Sequence, residues 1–206
     1  MDEIVFYTNP MSRGRLARWM LEEVGAPYRT EVLEYDATMK SPEYLAINPM
    51  GKVPAIRHGD VVVTECAAIC AYLADAFPET ELAPPPHERG PYYRWLFFAA
   101  GPLEAAVIDR ALGVEVPAEK ERMVGYGNFQ RVMDTLERAV SGDGYIAGER
   151  FSAADVYFGS HVGWGLRFES IEPRPGFADY WARVSDRDAY RRANELDDAL
   201  MSRETE

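Results

Sequence analysis

Apolar positions along the first eighty residues change period several times, and each change marks an element. Ile4 to Tyr7 are apolar, aromatic or β-branched and run into Thr8-Asn9-Pro10, a strand entering a turn. Leu16, Ala17, Met20, Leu21 and Val24 then recur at helical spacing, and Gly25 followed by Pro27 marks the stop. Tyr28 to Leu33 alternates as a second strand, which makes a βαβ unit with a parallel strand pair. Pro54 to Arg57 and Val61 to Val63 flank His58-Gly59-Asp60 as a hairpin, and Glu65 to Phe77 reads as a helix closed by Pro78.

Beyond Pro78 the character changes. Five of the fourteen prolines fall between Pro78 and Pro91, a stiff run that reads as an interdomain linker. Helical patterns follow over Tyr92–Ala111, Glu119–Val140, Ala153–Phe168 and about Phe177–Leu200, with no convincing strand among them. Pro102, after Gly101, lies inside the first of these and predicts a kink or break. Ser152-Ala153-Ala154-Asp155 is a capping box, with Phe151 and Val156 placed for the accompanying staple. The expected organisation is an α/β domain over 1–78, a linker over 79–91 and an all-α domain over 92–206.

Composition narrows the ligand. With 206 residues, 47% hydrophobic and 27% charged, the chain has enough apolar surface for packed cores. A formal charge of −12 disfavours nucleic acid and anionic membrane, so a small-molecule ligand is expected. The two cysteines, Cys66 and Cys70, are too few for a disulfide scaffold and form no C-x-x-C, so no metal is expected. Four apart on a helix, they read as buried small hydrophobes rather than a redox pair. No apolar run reaches the ~18 to 20 residues of a membrane span, and Met1-Asp2-Glu3 lacks a signal peptide's basic flank, so a cytoplasmic location is expected.

The candidate chemistry lies where the first strand turns into the first helix. Ser12 sits there with Arg13, Arg15 and Arg18, and no acid occurs between Glu3 and Glu22. Unpaired N–H groups and the helix dipole favour an anion at such a place, while Ser12 equally suits a plain N-cap. A serine hydrolase does not fit: G-x-S-x-G is absent, and His58, His87 and His161 sit in no motif that pairs them with Ser12. His161 reads as a packed histidine, and Arg187, Arg191 and Arg192 as a solvated helix face.

Taken together, Tyr7-Thr8-Asn9-Pro10-Met11-Ser12-Arg13, Asn48-Pro49-Met50-Gly51-Lys52-Val53-Pro54, Thr64-Glu65-Cys66-Ala67-Ala68-Ile69, the proline-rich linker and the capping box resemble the cytosolic glutathione transferases over nearly the whole chain. The resemblance implies a thioredoxin-like first domain that binds glutathione and a helical domain that supplies most of the pocket for a hydrophobic electrophile. It implies Ser12 as the hydroxyl donor to the glutathione thiolate, as in bacterial serine-type members, with Tyr7 and Arg13 as alternatives. It further implies that Val53 pairs its backbone with the cysteinyl part of glutathione, that Pro54 is cis, that Glu65 takes the γ-glutamyl ammonium while the Cys66 N–H takes the carboxylate, and that Lys40 and Lys52 address the glycyl carboxylate. Cys66 stands where the family usually has a hydroxyl, which weakens that end of the site. Met11, Tyr92, Tyr93, Trp95, Phe97, Phe98 and Trp164 are candidates for the second pocket, or simply core. The family also implies detoxification as the role, a homodimer, and Glu104 reaching a partner subunit's ligand. A glutathione-dependent disulfide reductase or peroxidase, which more naturally carries a cysteine in place of Ser12, and a non-catalytic binding module stay open beside the transferase.

Thiol activation of this kind is energetically attainable. A thiol of pKa ~8.5 needs ~2.7 kcal/mol of preference for its anion to move down about two units. A hydrogen bond to a charged group contributes ~1.5–3 kcal/mol and a helix N-terminus ~0.3–1.

Overall fold

A computed structural model describes residues 2–203. Two compact units emerge: one takes in the chain up to Leu82 together with the segment from Asp186 onward, the other Ala83–Ser185.

In the first unit, β1 (Ile4–Thr8), α1 (Gly14–Val24) and β2 (Tyr28–Val32) form the expected βαβ. β1 and β2 pair in parallel, Ile4 with Tyr28 through Thr8 with Val32. β1 is buried at all five positions, which is why it reads as a continuous apolar run: it is a central strand. α1 buries Leu16, Ala17, Met20 and Leu21 and closes at Gly25, whose φ of 71° lets its N–H reach the Leu21 carbonyl at 3.0 Å. A short helix α2 (Pro42–Leu45) is capped by the Ser41 side chain. β3 (Ala55–His58) and β4 (Val61–Thr64) make the hairpin, with His58 opposite Val61, so its turn is Gly59-Asp60 and His58 belongs to the strand. α3 (Cys66–Ala76) follows. The sheet is mixed, in the order β2-β1-β3-β4, and has the thioredoxin-like arrangement.

The helical unit contains α4 (Arg89–Phe98), α5 (Glu104–Ala111), α6 (Phe129–Ala139), α7 (Ala153–Arg167) and α8 (Phe177–Ser185). Pro91 lies in the first turn of α4, which begins three residues before the expected Tyr92. The predicted break at Pro102 is a widened π turn over Ala99–Leu103 between α4 and α5, the means by which a helix absorbs a missing N–H. The helix expected from Glu119 starts only at Phe129: Ala118–Met123 is a 3-10 turn, Gly127 takes φ 72°, and Asn128 caps α6 by accepting the Arg131 N–H at 2.8 Å. The Ser152–Asp155 capping box is present, and the Asp155 carboxylate also takes the Ile146 N–H and the Tyr180 hydroxyl. Phe151 packs edge-on against Tyr145.

The stretch expected as one helix to Leu200 is two, and the second, α9 (Asp188–Arg203), packs on α1 rather than with the other helices. Trp19 meets Tyr190 edge to face, and the Arg187 guanidinium holds Glu23 with bonds of 2.6 and 2.7 Å. Arg192 pairs with Glu22, and buried Arg18 with buried Asp197 at 2.8 Å. This corrects the sequence reading of Arg187 as part of a solvated face; Arg191, paired with Asp186 and Asp188, and Arg192, paired with Glu22, do lie exposed on one.

Candidate functional site

Strand directions bring the three motifs to one end of the sheet. β1 ends at Thr8; β3 runs antiparallel to it, with Tyr7 opposite Ala55, so β3 begins there. β4 in turn ends there, Ala55 being opposite Thr64. The turn after β1, the Val53-Pro54 approach to β3 and the Thr64-Glu65-Cys66 entry to α3 therefore share an edge, although they lie some forty and ten residues apart in the chain. Topology, not local sequence, makes the site.

The turn carrying Ser12 is fixed from several sides. Asn9, buried, donates from Nδ2 to the Leu33 carbonyl at 2.9 Å and accepts the Met11 N–H on Oδ1 at 2.9 Å. The Tyr35 hydroxyl holds the Met11 carbonyl at 3.1 Å, and Arg15 Nε holds that of Pro10 at 2.7 Å. Ser12 Oγ accepts the Gly14 N–H at 2.9 Å and donates to the Asn9 carbonyl at 2.6 Å. Gly14 is required here because a Cβ would stand 1.9 Å from Thr8 Oγ1. Ser12 thus serves the first turn of α1 as an acceptor and keeps its own proton on a backbone oxygen. Releasing that proton toward a ligand exchanges a neutral hydrogen bond, ~0.5–1.5 kcal/mol, for a charged one, ~1.5–3.

The second turn repeats the first. Asn48 is buried, accepts the Met50 N–H on Oδ1 at 3.1 Å and donates to the Lys52 carbonyl at 2.8 Å. The Tyr44 hydroxyl donates to the same carbonyl at 2.5 Å, and burial pushes its phenol up to about 12. Lys40 Nζ donates to the Gly51 carbonyl at 2.8 Å, so this ammonium braces the turn; Lys52 points to solvent. Gly51 adopts φ 57°, with Met39 O and Lys40 Nζ only 2.9 Å from where a Cβ would lie. The Val53–Pro54 bond is cis, and Val53, half-buried, has neither its N–H nor its C=O bonded to another described residue.

Glu65 is exposed at φ 67°, a conformation that costs a non-glycine residue ~1–3 kcal/mol. Cys66 follows it, buried, and donates its thiol to the Arg13 carbonyl at 3.3 Å, which ties the α3 entry to the Ser12 turn. Burial pushes the Cys70 thiol well above its ordinary range, with Cys66 adding to the effect. Among the described residues no group of three or more His, Cys, Asp or Glu is placed to hold a metal ion.

Other candidates fall elsewhere. Tyr7 lies in the core with Val5, Met39, Tyr44 and Ala55, its ring 5.6 Å from that of Tyr44. Of the three arginines that the sequence groups with Ser12, two are ion-paired: Arg15 with Asp198, and Arg18 with Asp197. Arg13 is exposed. Tyr92 is buried, 1% exposed, and so lines no open pocket. Trp95 is buried against Phe98 and Phe158, and half-buried Trp164 packs on Phe168. Met11, Tyr93 and Phe97 are exposed. Glu104 stands 3.7 Å from His161 of its own chain. Sequence reasoning missed Asn9, Asn48 and Tyr44; the repeated Asn-Pro-Met was the available signal, since Asn before Pro starts an Asx turn.

Residues 12–76 match the family described as glutathione S-transferase, N-terminal domain, and residues 79–192 match glutathione S-transferase, C-terminal domain. The chain belongs to the glutathione S-transferase family. Glutathione S-transferase GstA of Escherichia coli O157:H7 is 28% identical over 164 residues, 78% of each chain. A glutathione transferase from Methylococcus capsulatus strain Bath has a TM-score of 0.77 at 27% identity, over 95% of this chain and 99% of that one. The theta class glutathione S-transferase of Xanthomonas axonopodis pv. citri, solved with glutathione bound, has a TM-score of 0.69 at 28% identity, over 94% and 97%.

Proposed function

We propose that this chain is a glutathione transferase in which Ser12 keeps the glutathione sulfur ionised for attack on small hydrophobic electrophiles. The observation that carries this is the convergence of the Ser12 turn, the cis Val53–Pro54 segment and the Glu65-Cys66 helix entry at one sheet end. Val53 offers an N–H and a C=O that an extended tripeptide pairs with in strand fashion. Glu65, exposed, takes the γ-glutamyl ammonium, the first N–H groups of α3 take the adjoining carboxylate, and Lys52 takes the glycyl carboxylate. The sulfur then lies at the start of α1. There the Ser12 hydroxyl turns from the Asn9 carbonyl to the thiolate, while the Gly14 N–H on Ser12 Oγ polarises it. A preformed thiolate needs no general base.

Both thiols of the chain are buried, so glutathione supplies the nucleophile in this reading. That favours conjugation over a reductase built on a protein cysteine. A homodimer, a cytoplasmic location and a role in detoxification belong to the same proposal, on the family's pattern. Conjugation of an activated aryl halide tests the reading: Ser12→Ala is expected to lower kcat/KM by about 10- to 100-fold with glutathione still bound, the loss of one charged hydrogen bond. Unchanged turnover rejects Ser12, and a parent protein that binds no glutathione at millimolar concentration rejects the enzyme.

A further inference from the structure

One side chain fastens the Ser12 turn to the last helix. Arg15 donates from Nε to the Pro10 carbonyl at 2.7 Å, from Nη2 to Asp198 Oδ1 at 2.6 Å and from Nη1 to Asn194 Oδ1 at 3.3 Å. Among the described residues Pro10 O has no other donor, whereas the neighbouring carbonyls are held by groups of the turn itself, by Tyr35 or by Cys66. The Arg15 side chain is 17% exposed and its bond to Pro10 is partly buried, while the Asp198 side chain at 61% lies in water.

We propose that Arg15 is a positioning residue for thiol activation: by bracing the Pro10 carbonyl against Asn194 and Asp198 of α9, it sets the direction in which Ser12 presents its hydroxyl. The proposal rests on the reading of Ser12 given above. Its chemistry is that of a rigid fork. A guanidinium reaches a backbone oxygen and two side-chain acceptors at fixed angles, which an ammonium of equal charge does not. The geometry matters because a reacting group displaced by about 1 Å loses on the order of a hundredfold in rate. The arginine does not itself contact the sulfur. It is spent on the backbone and on α9, so its charge is not what activates the thiol.

The test compares Arg15→Gln, Arg15→Lys and Ser12→Ala with Glu23→Gln, which breaks the Arg187 pair in the same α1–α9 seam without touching Pro10. For each, the pKa of bound glutathione is read from its thiolate absorbance, alongside kcat, glutathione KM and thermal stability. Both Arg15 variants are expected to raise the bound-thiol pKa by about one unit, a loss of thiolate of about threefold at pH 7 that approaches tenfold as pH falls below the parent's bound pKa. They lower kcat correspondingly, with KM changed less than about threefold. Glu23→Gln is expected to lower thermal stability and leave pKa and kcat as in the parent. The proposal is overturned by an unmoved pKa in the Arg15 variants, by full rescue in Arg15→Lys, or by an equal shift in Glu23→Gln. Should Arg15→Gln not fold, the double variant Asn194→Ala/Asp198→Ala removes the α9 end of the brace. It is expected to shift the pKa upward by about half a unit, and no shift overturns the proposal. An unmoved pKa in Ser12→Ala instead defeats the underlying reading of Ser12, an outcome distinct from any result on Arg15.

Discussion

Asn9 and Asn48 do the same work at the two turns that frame the site. Each fixes its own turn with a side-chain oxygen and ties it to a neighbouring strand or loop with its amide. Asn9→Ala removes a buried amide that holds the partly buried Leu33 carbonyl and the Met11 N–H, so a loss of about 1–2 kcal/mol is expected in chemical denaturation. A loss under about 0.5 kcal/mol would mean that water replaces the amide. The Arg18–Asp197 pair shows the other face of buried polarity. Burial holds the Asp197 carboxyl above the usual carboxylate range, and the Arg18 guanidinium only partly offsets this. Asp197→Ala is therefore expected to cost about 3–5 kcal/mol by stranding Arg18, while replacing both residues with apolar ones of similar size costs far less. A double-mutant cycle in denaturant checks both arms.

At the scale of the element, the capping box starts α7 and its glycines explain how closely it packs on α8. Gly159 and Gly163 present their backbone to α8: a Cβ on Gly163 would lie 2.4 Å from the Trp181 ring, and one on Gly159 2.9 Å from Val184. Gly163→Ala is expected to cost about 1–3 kcal/mol as a rigid indole is displaced, readable as a drop in thermal midpoint. At the head of the same helix, burial pushes the Asp155 carboxyl up to about 6, against its four hydrogen bonds, which lower it. An unfolded aspartate releases its proton near 3.9, so between roughly pH 4 and 6 the folded state holds a proton that the unfolded state has lost. The contribution of Asp155 is thus fully present below pH 4, falls as pH rises to 6 and stays low above. In Asp155→Asn this fall is expected to vanish, by an amount on the order of 2–3 kcal/mol, when stability is measured against pH for both proteins. A parent and a variant with parallel curves would place the carboxyl's titration below that window.

The same scale shows what the sequence carried. Strands, α1, α3 and α7 were legible because each has an uninterrupted period and a stop or cap. The helix expected from Glu119 was overextended, since Gly125 and Gly127 interrupt a pattern whose apolar spacing continues across them. α8 and α9 were merged because Asp186 and Arg187 fit a polar helical face as well as a break.

For the whole molecule, the main surprise is that the chain's last helix belongs to its first unit. Periodicity reveals that a helix has a face to bury and not what buries it, so Arg187 reads as solvent-facing until its partner Glu23 on α1 is known. Of the candidate site, the sequence names segments that meet at one sheet end, those of Ser12, Val53-Pro54 and Glu65-Cys66, while the contacts of Arg15 and Asn9 reach residues the sequence does not place. Removing the segment from Asp186 onward is expected to uncover Trp19, strand Arg18 and yield a protein cut rapidly by protease within the first unit. Retained protease resistance there would show that α9 is dispensable to the unit.

The most direct test of the central claim is the pH titration of glutathione bound to the parent and to Ser12→Ala, followed by thiolate absorbance. The account predicts a bound pKa about two units below the free value of ~8.5 in the parent, and a return of at least half that distance in the variant. Equal pKa values in the two proteins would contradict it.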